Sequence, residues 1–318
     1  MYLGIEIGGT KLQLGLGEGD GKLAGLWRGT VDVAQGADGI RTQILQAVPD
    51  LLAKSGVQRS RLRAIGIGFG GPVDDATRTV IKSHQIEGWD NFPLADWIAS
   101  LLGWPSVLGN DADVAGLAEA LFGAGKGLDP IFYITIGSGI GGGLIINGEI
   151  YRGCGRGAAE VGHVRVPLAL ENDQLRYVPL EEVSSGWAIE QWARKEAARQ
   201  PEAWKNVLAN GASLTAPQVA AAAAAGYDGA WSILYRAWNA LAEGICQVIA
   251  LVSPRRIVIG GGVSLMGEEV LFEPLRKAVA ERVFKPFADC YDIVPAALGE
   301  EVVVHGALAL ARKCLGKQ

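Results

Sequence analysis

A carboxylate stands next to a carboxamide in the stretch Leu108-Gly-Asn-Asp-Ala-Asp113, which follows the short apolar run Pro105-Ser-Val-Leu108. A glycine-rich turn lies on each side of it along the chain, Ile7-Gly-Gly-Thr-Lys11 upstream and Ile136-Gly-Ser-Gly-Ile-Gly-Gly-Gly143 downstream. Glycine-rich backbone can approach phosphate closely, because no side chain shields its N–H groups. A base between two such turns indicates phosphoryl transfer, in which catalysis depends on positioning and charge stabilisation.

Asp111 has two interpretations. As a general base it would take a proton from a hydroxyl nucleophile, which is worth roughly 10²–10⁴ in rate. As an N-cap it would begin a helix over Ala112–Phe122, and Asn110, Asp111 or Asp113 could each supply that cap. Only one cap is needed, so the surplus favours a functional role for at least one of the three, while local spacing leaves open which.

The glycine turns also have two interpretations, because glycine in a hairpin is more often needed for positive φ than for a ligand. Their corresponding places in two similar segments, with hydroxyls at Thr10 and Ser138, favour anion-binding sites. A third turn, Gly260-Gly-Gly262, would admit an adenine or a phosphate, or only join a strand to a helix. Neither of the two hairpin turns matches the GxxxxGK(S/T) P-loop, and neither has the strand–GxGxxG–helix layout of a dinucleotide fold, so Walker-type ATPases and dehydrogenases are disfavoured.

Glu160 and His163 lie three residues apart, which puts both side chains on one face of a turn or helix. As acceptor and donor they suit the vicinal hydroxyls of a ligand. The glycine-rich approach from Gly153 favours this role over two solvated surface residues. Of the neighbours Glu181 and Glu182, one is expected to contact ligand and the other solvent.

Hydrophobic periodicity places these residues on α/β elements. Alternation with a period of two predicts a meander of three strands, followed by a helix and a buried strand, over residues 3–69. The strand meander returns over residues 132–151, which indicates an internal duplication of one α/β unit. The second half is mostly helical, with Ser185, Thr215 and Asp228 as predicted N-caps.

The overall composition narrows the class of protein. With 318 residues, 49% hydrophobic and 20% charged, the chain is globular and long enough for two domains. A net charge of −5 and the lack of a long Lys/Arg run argue against a nucleic-acid partner. No apolar stretch reaches membrane-spanning length and the first strand begins by Leu3, so we expect a cytoplasmic protein with no membrane partner.

Several motifs together resemble the ROK family of sugar kinases, which are related to hexokinases and share the actin-like, ribonuclease-H-like ATPase fold. The resemblance covers nearly the whole chain. Its motifs are Gly4-Ile-Glu-Ile-Gly-Gly-Thr-Lys11, Gly66-Ile-Gly-Phe-Gly-Gly-Pro-Val-Asp74, Gly88-Trp89, Gly109-Asn-Asp-Ala-Asp113, Ile136–Gly143, Gly155–His163 and Arg256-Ile-Val-Ile-Gly-Gly-Gly-Val263. It implies two ribonuclease-H-like domains flanking a cleft, expected as residues 1–112 with 301–318 and residues 113–300.

The same resemblance implies ATP-dependent phosphorylation of a hexose at a primary hydroxyl, with Asp111 as the general base. The residues that would hold the sugar, besides Asp111 itself, are Gly71, Asn110, Glu160, His163 and Glu181. Those that would surround the phosphates and the nucleotide are Gly8, Gly9, Thr10, Lys11, Gly137, Ser138, Gly261 and Gly262. Mg²⁺ would arrive with ATP and keep mostly water and phosphate ligands, so no all-protein metal site is expected.

Two departures from the family pattern affect these expectations. Glu6 replaces the usual aspartate, which is expected near the water shell of the metal. The usual cysteine-rich zinc segment is replaced by residues 164–180, which contain no cysteine, so a structural zinc is not expected. A hydrogen bond would then have to orient His163 in place of the metal.

These departures motivate an alternative from a different class, a catalytically weak sugar or nucleotide sensor of the same fold. A third possibility, an actin-like filament ATPase, would have little use for the residues of Gly155–His163 that the resemblance assigns to the sugar. The resemblance also implies a homodimer. The identity of the sugar stays open, and Ser83-His-Gln-Ile-Glu-Gly88 is a candidate loop for discriminating between sugars.

Overall fold

The computed structural model describes residues 1–83, 85–169, 174–205, 207 and 214–316. It contains two compact units. The first comprises Met1–Asp129, Gly143–Ala158 and Ala297–Gln318, and the second comprises Pro130–Gly142 and Ala159–Ala296. The expected domains, residues 1–112 with 301–318 and residues 113–300, stay a prediction whose limits differ from those of the compact units.

Two five-stranded sheets and two small hairpins contain the strands of the described residues. These strands are β1 (Tyr2–Ile7), β2 (Lys11–Gly17), β3 (Gly25–Thr30), β4 (Ile65–Phe69), β5 (Val73–Asp74), β6 (Thr79–Val80), β7 (Ser106–Asn110), β8 (Ile131–Ile136), β9 (Ile140–Ile146), β10 (Glu149–Ile150), β11 (Arg165–Ala169), β12 (Leu175–Pro179), β13 (Arg256–Gly260) and β14 (Ile293–Pro295).

The first sheet has the order β3-β2-β1-β4-β7. The hairpin strands β1 and β2 are antiparallel, whereas β1, β4 and β7 are mutually parallel. In this register Ile7 lies opposite Phe69, and Phe69 lies opposite Asn110. The carboxyl ends of three strands therefore meet at one edge, which is where open α/β sheets place their ligands.

The second sheet has the order β10-β9-β8-β13-β14. Strand β13 runs parallel to both β8 and β14, while β10 is antiparallel to β9. If the five strands of each sheet are numbered 1 to 5 along the chain, both sheets have the same spatial order, 3-2-1-4-5. This arrangement confirms the expected α/β fold with two ribonuclease-H-like sheets. The boundary of the two units falls inside β9, between Gly142 and Gly143.

The α-helices of the described residues follow the predicted pattern of a helical second half. They are α1 (Gly36–Ser55), α2 (Leu94–Leu102), α3 (Asp111–Phe122), α4 (Glu181–Ser184), α5 (Gly186–Arg199), α6 (Pro201–Trp204), α7 (Ala216–Ala224), α8 (Asp228–Val252), α9 (Glu273–Arg282) and α10 (Val302–Gly316). None of the helices within the described ranges is long and apolar enough to cross a bilayer.

Local sequence sets most of these helix ends. Ser185 caps α5, since its side chain accepts a hydrogen bond from the Ala188 N–H, and Thr215 begins α7 in a capping box with Gln218. The prediction for α8 was wrong by one residue. Asp228 is its first helical residue and Tyr227 is the N-cap. An acid in the first turn is stabilised by the helix dipole as well, so the acidic signal alone does not fix the cap position.

Helix α10 packs on the first sheet, where Val304 and Leu308 join Tyr2 and other apolar residues in a buried cluster. The close approach requires glycine at one position of β4. A Cβ at Gly66 would lie 1.8 Å from the carbonyl oxygen of Ala307. This packing brings the C-terminal segment onto the strands that end at the candidate site.

A β-hairpin follows His163, which the sequence analysis did not predict. Strands β11 and β12 are antiparallel, and Val166 lies opposite Val178 with both side chains buried. The tip of the hairpin, residues 170–173, lies outside the described residues. Residues 164–180, which stand in place of the family's usual zinc segment, therefore contain an apolar cross-strand pair.

Candidate active site

The first glycine turn joins β1 to β2. The Gly8 N–H donates to the Lys11 carbonyl at 3.0 Å, which closes the turn. The side chain of Gln85 lies against Gly9, because a Cβ at Gly9 would lie 1.3 Å from Gln85 Oε1. His84, the neighbour of Gln85 in the predicted discrimination loop, lies outside the described residues.

Glu6 lies at the end of β1, with only 4% of the residue exposed. Its carboxylate pairs with Lys11 Nζ at 2.8 Å. Burial raises the pKa of Glu6 to about 7, Lys11 opposes this shift, and the negative charges of Asp111 and Glu300 add to it. Among the described residues, Glu6 Oε2 has no hydrogen-bond partner. The turn therefore contains a buried acid whose charge is only partly compensated.

The step from β7 into α3 places the predicted catalytic segment. Asn110 is the N-cap of α3, and its Oδ1 accepts from the Ala112 N–H at 2.9 Å and the Asp113 N–H at 3.4 Å. Asp111 is the first residue of the helix, and its Oδ1 accepts from the Ala112 N–H at 2.8 Å. Asp111 is partly buried, and because Asn110 supplies the cap, the helix does not require the Asp111 carboxylate for capping.

Two glycines lie beside this carboxylate. A Cβ at Gly70 would lie 3.4 Å from Asp111 Oδ2, and Asn110 Nδ2 donates to the Gly71 carbonyl at 3.0 Å. The first unit thus brings Gly71, Asn110 and Asp111 together, and the charge of Asp111 acts on Glu6. These are the predicted residues that this unit contributes around the end of the sheet.

The second glycine turn lies at the N-terminus of α5. The Gly137 N–H donates to the Gly139 carbonyl at 3.0 Å, and the Gly186 N–H donates to the Gly137 carbonyl at 2.8 Å. The first turn of a helix presents N–H groups and the positive end of the helix dipole, which together suit an anion. The phosphate role predicted for Gly137 and Ser138 is compatible with this position and stays a prediction.

A cavity of about 770 Å³ opens beside this turn in the second unit. Its walls are mostly apolar, and its volume is in the range that small-molecule ligands occupy. The lining residues are Gly137, Ser138, Gly186, Trp187, Glu190, Ala216, Pro217, Ala220, Ala221, Ala224, Gly262, Val263, Leu265, Met266 and Val270.

The third glycine turn contributes to this cavity in two ways. Gly262 lines it directly. Gly261 has a φ of 84°, and a Cβ there would lie 2.5 Å from the Ile136 carbonyl oxygen, so the turn needs glycine at this position. Both predicted nucleotide residues thus belong to the turn at the cavity, although only Gly262 is part of the wall.

Sequence analysis did not identify three features of this cavity, namely Trp187, Glu190 and the alanine face of α7. The signal was present, because Ala221 and Ala224 are solvent-exposed alanines on a helix that has other alanines buried behind them. An exposed apolar helix face indicates that something covers it.

Glu160, His163 and Glu181 lie near one another in the second unit. Val161–His163 forms a 3₁₀ turn, and His163 Nδ1 lies 3.8 Å from Glu181 Oε1. Burial raises the pKa of Glu160, while His163 lowers it and Glu181 raises it further. The three predicted sugar residues of this unit therefore interact electrostatically. The separation of His163 Nδ1 and Glu181 Oε1 is too long for a hydrogen bond, so this pair does not supply the hydrogen bond expected to orient His163.

Glu181 also lies close to the second glycine turn. A Cβ at Gly139 would lie 3.0 Å from Glu181 Oε2. Its neighbour Glu182, the other candidate of the pair, has no such approach among the contacts of this turn. Glu181 is thus the member of the pair that faces the other predicted residues.

Comparison with known proteins gives a consistent picture. The ROK family model matches residues 2–314 of this chain. The chain is 32% identical over 320 residues to a glucokinase of Thermotoga maritima, covering 99% of this chain and 98% of that protein. A ROK family glucokinase of Streptomyces griseus, solved with glucose and AMPPNP, superposes with a TM-score of 0.82 at 31% identity, covering 98% and 99% of the two chains.

Relatives with another role also match. A xylose repressor of Caldicellulosiruptor bescii is 25% identical over 281 residues, which cover 85% of this chain and 68% of that protein. The glucokinases, in contrast, align along nearly their full length. Because the family model spans almost every residue, the chain belongs to the ROK family.

Proposed function

We propose that this ROK-family sugar kinase transfers the γ-phosphoryl group of ATP to a primary hydroxyl of a hexose, with Asp111 as the general base. The position of Asp111 carries the proposal. Its carboxylate lies at the end of the first sheet, where Asn110 already caps α3, and a carboxylate in this position can act as the base for a bound hydroxyl.

The sugar would be held by both hydrogen-bond donors and hydrogen-bond acceptors. In the first unit, the Gly71 backbone and Asn110 would contact it. In the second unit, Glu160 and Glu181 would accept hydrogen bonds from its hydroxyls, and His163 would donate or accept. Such contacts fix the reacting hydroxyl against the base, which converts binding energy into orientation.

The nucleotide would bind along the second unit. The apolar cavity fits a flat base, and its contact with Gly137, Ser138 and Gly262 supports phosphates at the N-terminus of α5. In the first unit, the turn of Gly8, Gly9 and Thr10 with the Lys11 ammonium would stabilise the charge of the transferred phosphoryl group.

The residues around Glu6 suit magnesium that is bound with ATP. Mg²⁺ usually takes one or two carboxylates and keeps water and phosphate oxygens as its other ligands. Glu6 offers a buried carboxylate whose Oε2 has no partner in the described parts of the chain, and the charge of Asp111 acts on it. Glu6 would hold the ion through water, and the bound ion would supply positive charge to the phosphates.

One observation favours the alternative of a catalytically weak sensor. Lys11 is paired with Glu6 at 2.8 Å, and its Nζ also donates to the Glu300 carbonyl at 3.2 Å. These contacts hold the lysine that the transferred phosphoryl group would need. The xylose repressor among the relatives is a regulatory protein by its name, which is compatible with a sensor of the same fold.

The experiment that separates the two is ADP release from purified protein with Mg²⁺-ATP and a panel of glucose, fructose, mannose and N-acetylhexosamines. The kinase is expected to release ADP only with a sugar, and the best sugar names the substrate. Tight sugar binding in calorimetry, with no phosphorylated product from any sugar, would contradict the kinase and support the sensor.

A further inference from the structure

The loop that leads from β10 to Glu160 alternates in backbone conformation. Gly153, Gly155 and Gly157 have φ values of 54°, 99° and 98°, and Ala159 has a φ of 63°. Glycine lowers the barrier to such conformations but also leaves many others open. Residues 151–159, called the sugar loop below, therefore need contacts from outside the loop to hold one conformation.

The turn after β5 supplies these contacts within the first unit. The Arg152 guanidinium donates to the Asp75 carboxylate, and the Asp75 N–H donates to the Gly155 carbonyl at 3.1 Å. Arg156 Nε lies 3.4 Å from Asp74 Oδ2. Two aspartates of one turn thus bind two arginines of the sugar loop.

The two ion pairs differ in their surroundings. The side chains of Arg152 and Asp75 are only 27% and 19% exposed, whereas that of Arg156 is 75% exposed. An exposed pair contributes little, because water screens it and a long side chain loses freedom. The contact of Arg152 with Asp75 is therefore the principal attachment of the loop.

Asp74 also forms a hydrogen bond within its own turn, which stabilises the conformation of that turn. Its Oδ1 accepts from the Thr77 N–H at 2.9 Å, and this bond, followed by the charge of Arg156, holds the pKa of Asp74 below its usual range. The aspartate turn is thus an ordered base for the loop rather than a second flexible segment.

We propose that Asp75 and Arg152 are positioning residues for the sugar, because they hold the loop that continues directly into Glu160 and His163. The inference rests on the sugar role proposed for these two residues. Neither Asp75 nor Arg152 contacts the substrate in this account. Their ion pair restricts the sugar loop to the conformation in which Glu160 and His163 are presented to the hydroxyls.

The kinetic test compares Asp75→Asn and Arg152→Gln with the wild type on its best sugar. Loss of the partly buried pair is expected to raise the KM for sugar roughly tenfold, while kcat and the KM for ATP stay within about twofold. Asp96→Asn, which breaks the exposed pair of Asp96 with Arg78, is the matched control and should change neither KM. The exchange of partners in Asp75→Arg with Arg152→Asp is expected to restore much of the sugar KM.

A second readout does not depend on activity. Hydrogen–deuterium exchange of the wild type and of Asp75→Asn is expected to show faster amide exchange in the sugar loop of the variant, with the rest of the first unit unchanged. A variant with wild-type exchange in the loop, or with a wild-type KM for sugar, would overturn the positioning role. If the wild type released no ADP with any sugar, the proposed function would fail and the positioning role with it.

Discussion

Asn110 and Asp111 have separate roles at the start of α3. The amide of Asn110 satisfies the first N–H groups of the helix and also donates to Gly71. The carboxylate of Asp111 projects beside Gly70, near the end of the first sheet. Sequence spacing alone left Asn110, Asp111 or Asp113 as the cap. The structure resolves that choice, because Asn110 has the extended backbone of an N-cap and its side chain accepts from the first N–H groups.

Glu6 makes the stability of the protein depend on pH. Burial raises its pKa to about 7 from an ordinary value of 4.5, so the folded protein binds this proton more tightly than the unfolded chain. Between about pH 4.5 and pH 7 the folded state holds more protons, and the free energy of unfolding falls as the pH rises. Above pH 7 the charged carboxylate is buried at its full cost.

Glu6→Gln removes this titration. The unfolding free energy of the variant, relative to that of the wild type, is expected to rise by about 3 kcal/mol between pH 5 and pH 8, since each unit of pKa shift is worth about 1.4 kcal/mol. Urea unfolding of both proteins at the two pH values, without nucleotide or metal, measures it. Parallel pH profiles would show that the Lys11 pair fully offsets the burial of Glu6.

Helix α7 and the N-terminus of α5 line the same cavity. Exposed alanines of α7 face it, and Trp187 and Glu190 enter it from α5. Small side chains on α7 leave room for a flat ring, and an indole next to that room can stack on it. The alanines of α7 therefore shape the cavity in addition to forming the helix.

Ala221→Trp tests this use of α7. An indole at this exposed position is expected to fill the cavity and to raise the KM for ATP at least roughly tenfold, with the KM for sugar unchanged. Ala225→Trp, at an exposed alanine outside the lining, is the control. Steady-state kinetics with ATP varied at saturating sugar would contradict the assignment if both variants behaved alike.

The hairpin of β11 and β12 is an element that sequence analysis missed. Val166 and Val178 occupy its buried face, and their pairing joins residues twelve positions apart, which no short local pattern indicates. Apolar cross-strand packing is a means of ordering a segment. Near this hairpin, Glu181 Oε1 lies 3.8 Å from His163 Nδ1.

Across the whole molecule, sequence predicted the parts that depend on local pattern. The paired meanders, the buried strand that follows the first of them and the caps of α5 and α7 all follow from periodicity and capping chemistry, and the structure contains them. The equal strand order of the two sheets agrees with the internal duplication. Motif resemblance added the family, which the comparisons confirm.

The features that sequence analysis did not predict depend on contacts between residues that are distant along the chain. The attachment of Arg152 to Asp75 joins residues 77 positions apart, and neither has a neighbour in sequence that indicates its partner. The cavity likewise forms from segments that are distant along the chain, so no local pattern predicts it. The homodimer stays a prediction of the resemblance, and the identity of the sugar stays open.

The most direct test of the central claim is the turnover of Asp111→Asn on the sugar that the wild type prefers. The account predicts that kcat falls roughly 10²–10⁴-fold, because an amide cannot accept the proton, while the calorimetric Kd for sugar stays within a few-fold of the wild-type value. Asp50→Asn, at an exposed aspartate of α1, is the control and should keep full turnover. Retained turnover in Asp111→Asn would contradict the account and remove Asp111 from the role of base.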